Sequence, residues 1–206
     1  MDPELPFAGP CFGDELARDD YHAGMRFDGV DFSSLNLAGH TFEDCSFASC
    51  HFVEMSLAHV NFVSSVFTDC DLVIVKLQDA ALNRVRFSGC KLLGLNFADC
   101  SRFGFLPDFD GCLIDSTVFC ANNLKKGRFT GSTIRNSDFI ECDIREAVFG
   151  RTTFEATSFQ KCNLERADFT SAAGYEIDPG NNRLAKARFS LPEAQSFLGF
   201  LGIEIV

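Results

Sequence analysis

From Phe27 to Phe97 every fifth residue is Phe or Leu, fifteen positions without exception. Thirteen more positions at the same spacing, all Phe, Leu or Ile, run from Phe109 to Phe169 in a phase displaced by two residues. A helix would set apolar residues three and four apart and a half-buried strand would alternate them, so neither produces a count of five. Two residues before these centres the side chain is usually small: Cys45, Cys50, Ser65, Cys70, Ala80, Cys90 and Cys100, then Cys112, Ser132, Ser137, Cys142 and Ala147. The other three places in each five are mostly polar or Gly. Each repeat thus offers one large and one small inward side chain, which predicts a solenoid whose units bury their apolar faces on one another. The segment "ADCSRFGFLPD" between the two runs must hold an irregularity that resets the phase, with its aromatics filling the core.

The individual repeats read "CDLVI" (70–74), "CNLER" (162–166) and "ADFTS" (167–171). This pattern of a small residue, an Asp or Asn, a Leu or Phe and two polar residues resembles the pentapeptide-repeat family over roughly residues 25–171. The resemblance implies an all-β fold, a right-handed quadrilateral parallel β-helix with four repeats per coil, followed here by a short C-terminal α-helix. Twenty-eight repeats then make seven coils, a rod of ~34 Å at ~4.8 Å per coil. The chain divides into an N-terminal arm (1–24), a first repeat run (25–97), an interruption (98–108), a second run (109–171) and a C-terminal segment (172–206).

Charge narrows the choice of partner. The chain has a formal net charge of −11, and the first 24 residues contain six acids against Arg18 alone. Direct nucleic-acid binding is disfavoured, because phosphate contacts need a basic surface; a basic partner surface is the expectation. No stretch is apolar for long enough to span a membrane and the start lacks a signal-peptide pattern, so a cytoplasmic location is expected. Eight of the ten cysteines fall on the small inward position, all but Cys11 and Cys120. Cys50, Cys70 and Cys90 are expected to stack as a thiol ladder that packs as small hydrophobes, not as a metal or redox site.

Residues twenty apart lie on one face in consecutive coils, so outward ladders can be read off. Lys125, Arg145 and Glu165 form one, Lys126, Glu146 and Arg166 the next, and both read as solvated salt-bridging faces. Asp79 and Asp99, below His59, form an acidic ladder with Asp69 and Asp71 nearby in sequence. With Phe103, Phe105, Leu106 and Asp108 of the interruption these are the candidate partner-binding residues, since loops on rigid scaffolds often carry contacts. Val53, Val73 and Leu93, with Ile74 beside them, make an outward apolar stripe. Such a stripe normally has a cover, expected to be either the arm with Leu5, Phe7 and Phe12 or the interruption. His40 falls on an inward position and reads as a hydrogen-bonded core residue. His22, His40, His51 and His59 do not build a site, and no nucleophile, base and orienting group come together. A non-enzymatic protein with no metal and no cofactor is expected.

After Phe169 the character changes. Ser190 and Glu193 have capping-box spacing and Pro192 suits a first helical turn. Leu191, Ala194, Phe197, Leu198 and Leu201 then give an apolar face that stops at Gly202 and, with Ile203, is the candidate dimer interface. "IDPGNNRLAKARFSLPEA" (177–194) is similar to the tail of one pentapeptide-repeat subgroup. That subgroup holds the Qnr quinolone-resistance proteins, the mycobacterial fluoroquinolone-resistance protein and immunity proteins against albicidin and microcin. The resemblance implies a homodimer through the C-terminal segment that imitates duplex DNA, binds DNA gyrase or topoisomerase IV and protects it from a poison. The other reading is a scaffold with an unrelated partner; a continuous negative face would favour the first.

Overall fold

A computed structural model of the chain describes residue 16 and residues 19–201. Nineteen strands of two or three residues stack in parallel into four sheets, one of four strands, two of six and one of three. Partners are twenty residues apart, as in Phe27↔Phe47, Phe52↔Leu72 and Phe139↔Phe159. Four repeats therefore complete one coil, and the chain is a four-faced parallel β-solenoid of about seven turns with one short C-terminal helix.

The period of five follows from backbone geometry. Each strand is too short to do more than turn one centre inward between two outward neighbours, and the residue after it makes the corner. That corner residue sits in the left-handed region again and again: Asp44, Ser49, Glu54, His59, Ser64, Asp69, Ile74 and Asp79 all have φ between 50° and 60°. The conformation is disfavoured for residues with a Cβ, but it directs the corner N–H to a carbonyl of the next coil, as in Ser64 to Asn83 and Asp69 to Ser88, each 2.8 Å.

All twenty-eight centres are buried at 3% exposure or less. One lumen column is entirely aromatic: Phe27, Phe47, Phe67, Phe87, Phe109, Phe129, Phe149, Phe169 and Phe189 stack with centroids 4.5–5.5 Å apart. Ring stacking at this distance adds to simple area burial. The column crosses the phase break without a gap, because Phe87 stacks on Phe109 at 5.5 Å although 22 residues separate them. Phe105 enters the core as expected, while Phe103 is 88% exposed and Leu106 46%. The two extra residues thus bulge outward on one face and leave the lumen in register.

The lattice extends past both runs. His22, five residues before Phe27, occupies a buried centre, and the bridges Asn163↔Arg183 and Asp168↔Arg188 carry the repeat on to Phe189.

The small inward position does more than pack. Cys70 Sγ–H donates to the Phe47 carbonyl (3.4 Å) and Sγ accepts from the Cys50 N–H (3.4 Å). Ser65, Cys90, Cys112, Thr117, Asn122, Cys142, Thr157 and Cys162 donate likewise to a centre carbonyl one coil back. The expected thiol ladder is present, but its members are hydrogen-bonding groups that link coils, a correction to the reading as plain small hydrophobes.

Candidate functional site

The four faces are named by their centre columns. Face A holds His22, Phe42, Phe62 and Leu82, and continues beyond the interruption through Leu124, Ile144 and Leu164. Face B holds the Phe27 to Phe189 column, face C the column from Phe32 through Leu72 to Phe154, and face D that from Leu37 through Leu77 to Phe159.

Outward charge is unevenly shared. Faces C and D with their corners carry Asp31, Glu54, Asp71, Asp79, Asp99, Asp115, Asp138, Glu141 and Glu155 against Lys76, Lys91, Arg135 and Lys161. On faces A and B cations slightly outnumber acids. The acidic side is a bias over two adjacent faces, broken by ion pairs, and not an uninterrupted negative strip. Asp71 lies between His51 (3.1 Å) and Lys91 (3.2 Å), Asp115 meets Arg135 (2.8 Å) and Glu141 meets Lys161 (3.5 Å). Asn136 and then the Arg135 guanidinium hold the Asp115 carboxyl below its usual range. Such exposed pairs contribute about 0–1 kcal/mol each; their effect here is to neutralise parts of the acidic side.

The candidate partner-binding residues do not converge. Asp79 and Asp99 form the expected corner ladder below His59, with His59 Nδ1 3.8 Å from Asp79 Oδ2, at the corner where face D meets face A. Asp69 and Asp71 sit at the opposite corner, Asp108 lies on face B, and Phe103 and Leu106 lie on face A. Ladders read at a spacing of twenty hold only within one run, so residues on either side of the break could not be assigned to a common face beforehand.

The apolar stripe is on face C. Val53, Val73 and Leu93 are half-buried and Ile74 is 58% exposed. The interruption bulges from face A, on the other side of the solenoid, so it does not cover the stripe as expected. The alternative cover, Leu5, Phe7 and Phe12, lies outside the described residues.

At the C-terminal end Phe197 packs edge-on against Phe189, centroids 4.7 Å apart, and lies 6.1 Å from Tyr175. It closes the last coil. Leu191, Phe200 and Leu201 point to solvent at 77%, 46% and 62% exposure, while Ala194 and Leu198 are half-buried. Ile203 lies outside the described residues. The expected capping box does not form: Ala194 N–H donates to the Ser190 carbonyl, and a 3₁₀ turn at Glu193–Gln195 precedes one α-turn at Ser196–Gly199. A helix this short does not hold itself; Phe197 packing on the coil end fixes it.

His40 is a buried, hydrogen-bonded core residue as expected, but His22 is buried beside it. His22 and His40 form a buried pair at the N-terminal end of the lumen, Nε2 to Nδ1 3.0 Å, with the His22 ring stacked on Phe42 at 4.8 Å. The sequence signal was available, since His22 lies one period before Phe27. Burial, then the neighbouring His40, lowers the His22 pKa.

Among the described residues, no group of His, Cys, Asp and Glu side chains is arranged to hold a metal ion, and no helix is long and apolar enough to cross a membrane.

Family comparison agrees with this lattice. Residues 40–102 match the pentapeptide repeat region and residues 147–172 match pentapeptide repeats. Both matched segments are pentapeptide repeats. Similar solved pentapeptide-repeat structures include a trypsin-treated variant of QnrB1, a plasmid-mediated fluoroquinolone resistance protein. It is 17% identical with a TM-score of 0.43, covering 90% of this chain and 100% of that one. Another is HetL, involved in heterocyst differentiation regulation in the cyanobacterium Nostoc sp. strain PCC 7120. It is 14% identical with a TM-score of 0.37, covering 91% and 95% of the two chains. No curated protein matches the sequence.

Proposed function

We propose that this protein is a non-enzymatic, cytoplasmic pentapeptide-repeat rod that engages DNA gyrase or topoisomerase IV and protects it from a quinolone or a natural poison that traps cleaved DNA. The observation that carries the reading is the acidic bias of faces C and D along a narrow, rigid rod. A basic groove built for duplex DNA would meet carboxylates there at coil spacing. The mimicry is partial: about twenty base pairs carry roughly forty phosphate charges, whereas two chains supply −11 each. The similarity of residues 177–194 to the tail of the topoisomerase-protecting subgroup supports the same partner and a two-fold dimer through the C-terminal end.

A protein scaffold with a different partner is the second reading, and the ion-paired state of Asp71, Asp115 and Glu141 favours it. Fluoroquinolone resistance and heterocyst regulation belong to QnrB1 and HetL, and a shared rod does not choose between them.

The experiment is gyrase supercoiling with and without a fluoroquinolone, titrated with the purified protein. Relief of drug inhibition, or inhibition of supercoiling by the protein alone, is expected. No effect at concentrations where the dimer is established would leave the scaffold reading.

A further inference from the structure

The acidic chain has one basic corner, where face A meets face B at the phase break. Arg84 and Arg86 belong to one coil, and Lys126 and Arg128 stand two coils further along, ~10 Å away at the strand spacing. The coil between them presents Leu106 and Asp108 in that register. The corner ladder is interrupted there, because Leu106 donates its N–H back to the Leu82 carbonyl, while Lys126 and Glu146 continue it on the far side. Two adjoining clefts result, of about 340 and 350 Å³, sharing Arg86 and Asp108. Each falls within the roughly 300–1,000 Å³ of small-ligand sites.

Elsewhere opposite charges one coil apart close into ion pairs, as Asp71 does with Lys91 and Asp168 with Arg188. Here they do not. Among the described residues Arg84, Arg86 and Arg128 make no side-chain ion pair, although Asp108 stands between the last two; its Oδ1 instead accepts the Arg128 backbone N–H at 3.0 Å. Thr130, which lines the second cleft, has a buried Oγ1 with no hydrogen-bond partner. A cluster of guanidinium groups left open beside an unused hydroxyl suits an anion with several oxygens.

We propose that this corner binds a compact oligophosphate. Compactness follows from the surrounding charge. With a screening length of ~8 Å at physiological salt, an anion confined to the clefts experiences four cations in excess of the two lining carboxylates, Asp108 and Asp110, whereas a long nucleic acid would run on towards the acidic faces C and D. The inference does not depend on a topoisomerase partner.

The test is calorimetric titration of the full chain with tripolyphosphate, with a single-stranded oligothymidylate as the second probe. One equivalent of tripolyphosphate is expected to bind, more weakly at high salt. Arg86→Ala and Arg128→Ala should each weaken binding about tenfold, while Arg151→Ala, further along face B, should leave it unchanged. All three side chains are exposed, so unchanged melting curves confirm that the fold is retained. Absence of binding, equal weakening in Arg151→Ala, or tighter binding of the oligothymidylate than of tripolyphosphate would overturn the proposal.

Discussion

The Cys70 thiol donates to the Phe47 carbonyl one coil away at 3.4 Å, and its sulfur accepts the N–H of Cys50 at the same distance. One small side chain therefore ties its coil to the preceding one through two hydrogen bonds. Replacing Cys70 by Ala leaves the buried Cys50 N–H without an acceptor and is expected to cost about 1–3 kcal/mol. Cys70→Ser should be far milder, because Ser65 makes the equivalent bonds to Cys45 N–H (3.1 Å) and the Phe42 carbonyl (3.0 Å). Equilibrium denaturation of the two variants distinguishes this bonding role from simple filling, under which Ala and Ser would cost alike.

Thiol labelling gives an independent check. Burial, and then the nearby Asp99 charge, push the Cys100 thiol up to about 12, and Cys120 is the one half-exposed thiol among the described residues. In a Cys11→Ser background one thiol per native chain should react rapidly with a thiol reagent. Cys120→Ser should abolish that reaction.

Ile74 is a β-branched corner residue with φ of 53° and 58% exposure, while Asp69 and Asp79 hold the same conformation at the two neighbouring corners with side chains better suited to it. Such residues are outliers in the left-handed region. Ile74→Gly is expected to raise stability by about 1 kcal/mol, read as a higher denaturation midpoint. A loss would show that Ile74 contributes packing against Val73 and Leu93 greater than its backbone cost.

Burial of His22 beside His40 makes stability depend on pH near neutrality. The folded pKa of His22 lies below its unfolded value of about 6.5, so the unfolded chain binds more protons as pH falls through that region. Stability is then greatest above pH 6.5 and declines on acidification towards the lowered folded pKa. The aspartates held below their usual range, Asp31, Asp115, Asp143 and Asp168, titrate at much lower pH. His22→Phe, which places an aromatic ring beside Phe42, should flatten the dependence of melting temperature on pH between 7 and 5.5. An unchanged slope would assign it to another group.

The period of five exposed the lumen from Phe27 to Phe169, because burial is periodic and any one repeat repeats the signal. Faces were legible within each run for the same reason. Across the break they were not: Arg86 aligns with Leu106 at a spacing of twenty, but the longer coil brings Asp108 opposite it. The bonding role of the small position was also hidden, since Cys, Ser and Thr look alike as small residues until the carbonyl 23 or 25 residues back is seen facing them. In the tail, the apolar spacing suggested a longer helix; Phe197 is instead drawn onto Phe189 and Tyr175, and the exposed Phe200 was not singled out.

That placement separates closure of the coil from self-association. Phe197→Asp should destabilise the chain, whereas Phe200→Asp with Leu201→Asp should leave the melting temperature nearly unchanged and convert a dimer to a monomer by sedimentation. A monomeric parent protein would remove the two-fold rod from the account.

The most direct test of the topoisomerase reading is binding of the 206-residue chain to gyrase, comparing the parent with Asp79→Lys combined with Asp99→Lys on the acidic side. The account predicts saturable binding that weakens with salt and is lost or weakened about tenfold or more by the double charge reversal. Binding that ignores both salt and the reversal, or no binding by a folded dimer, would contradict it.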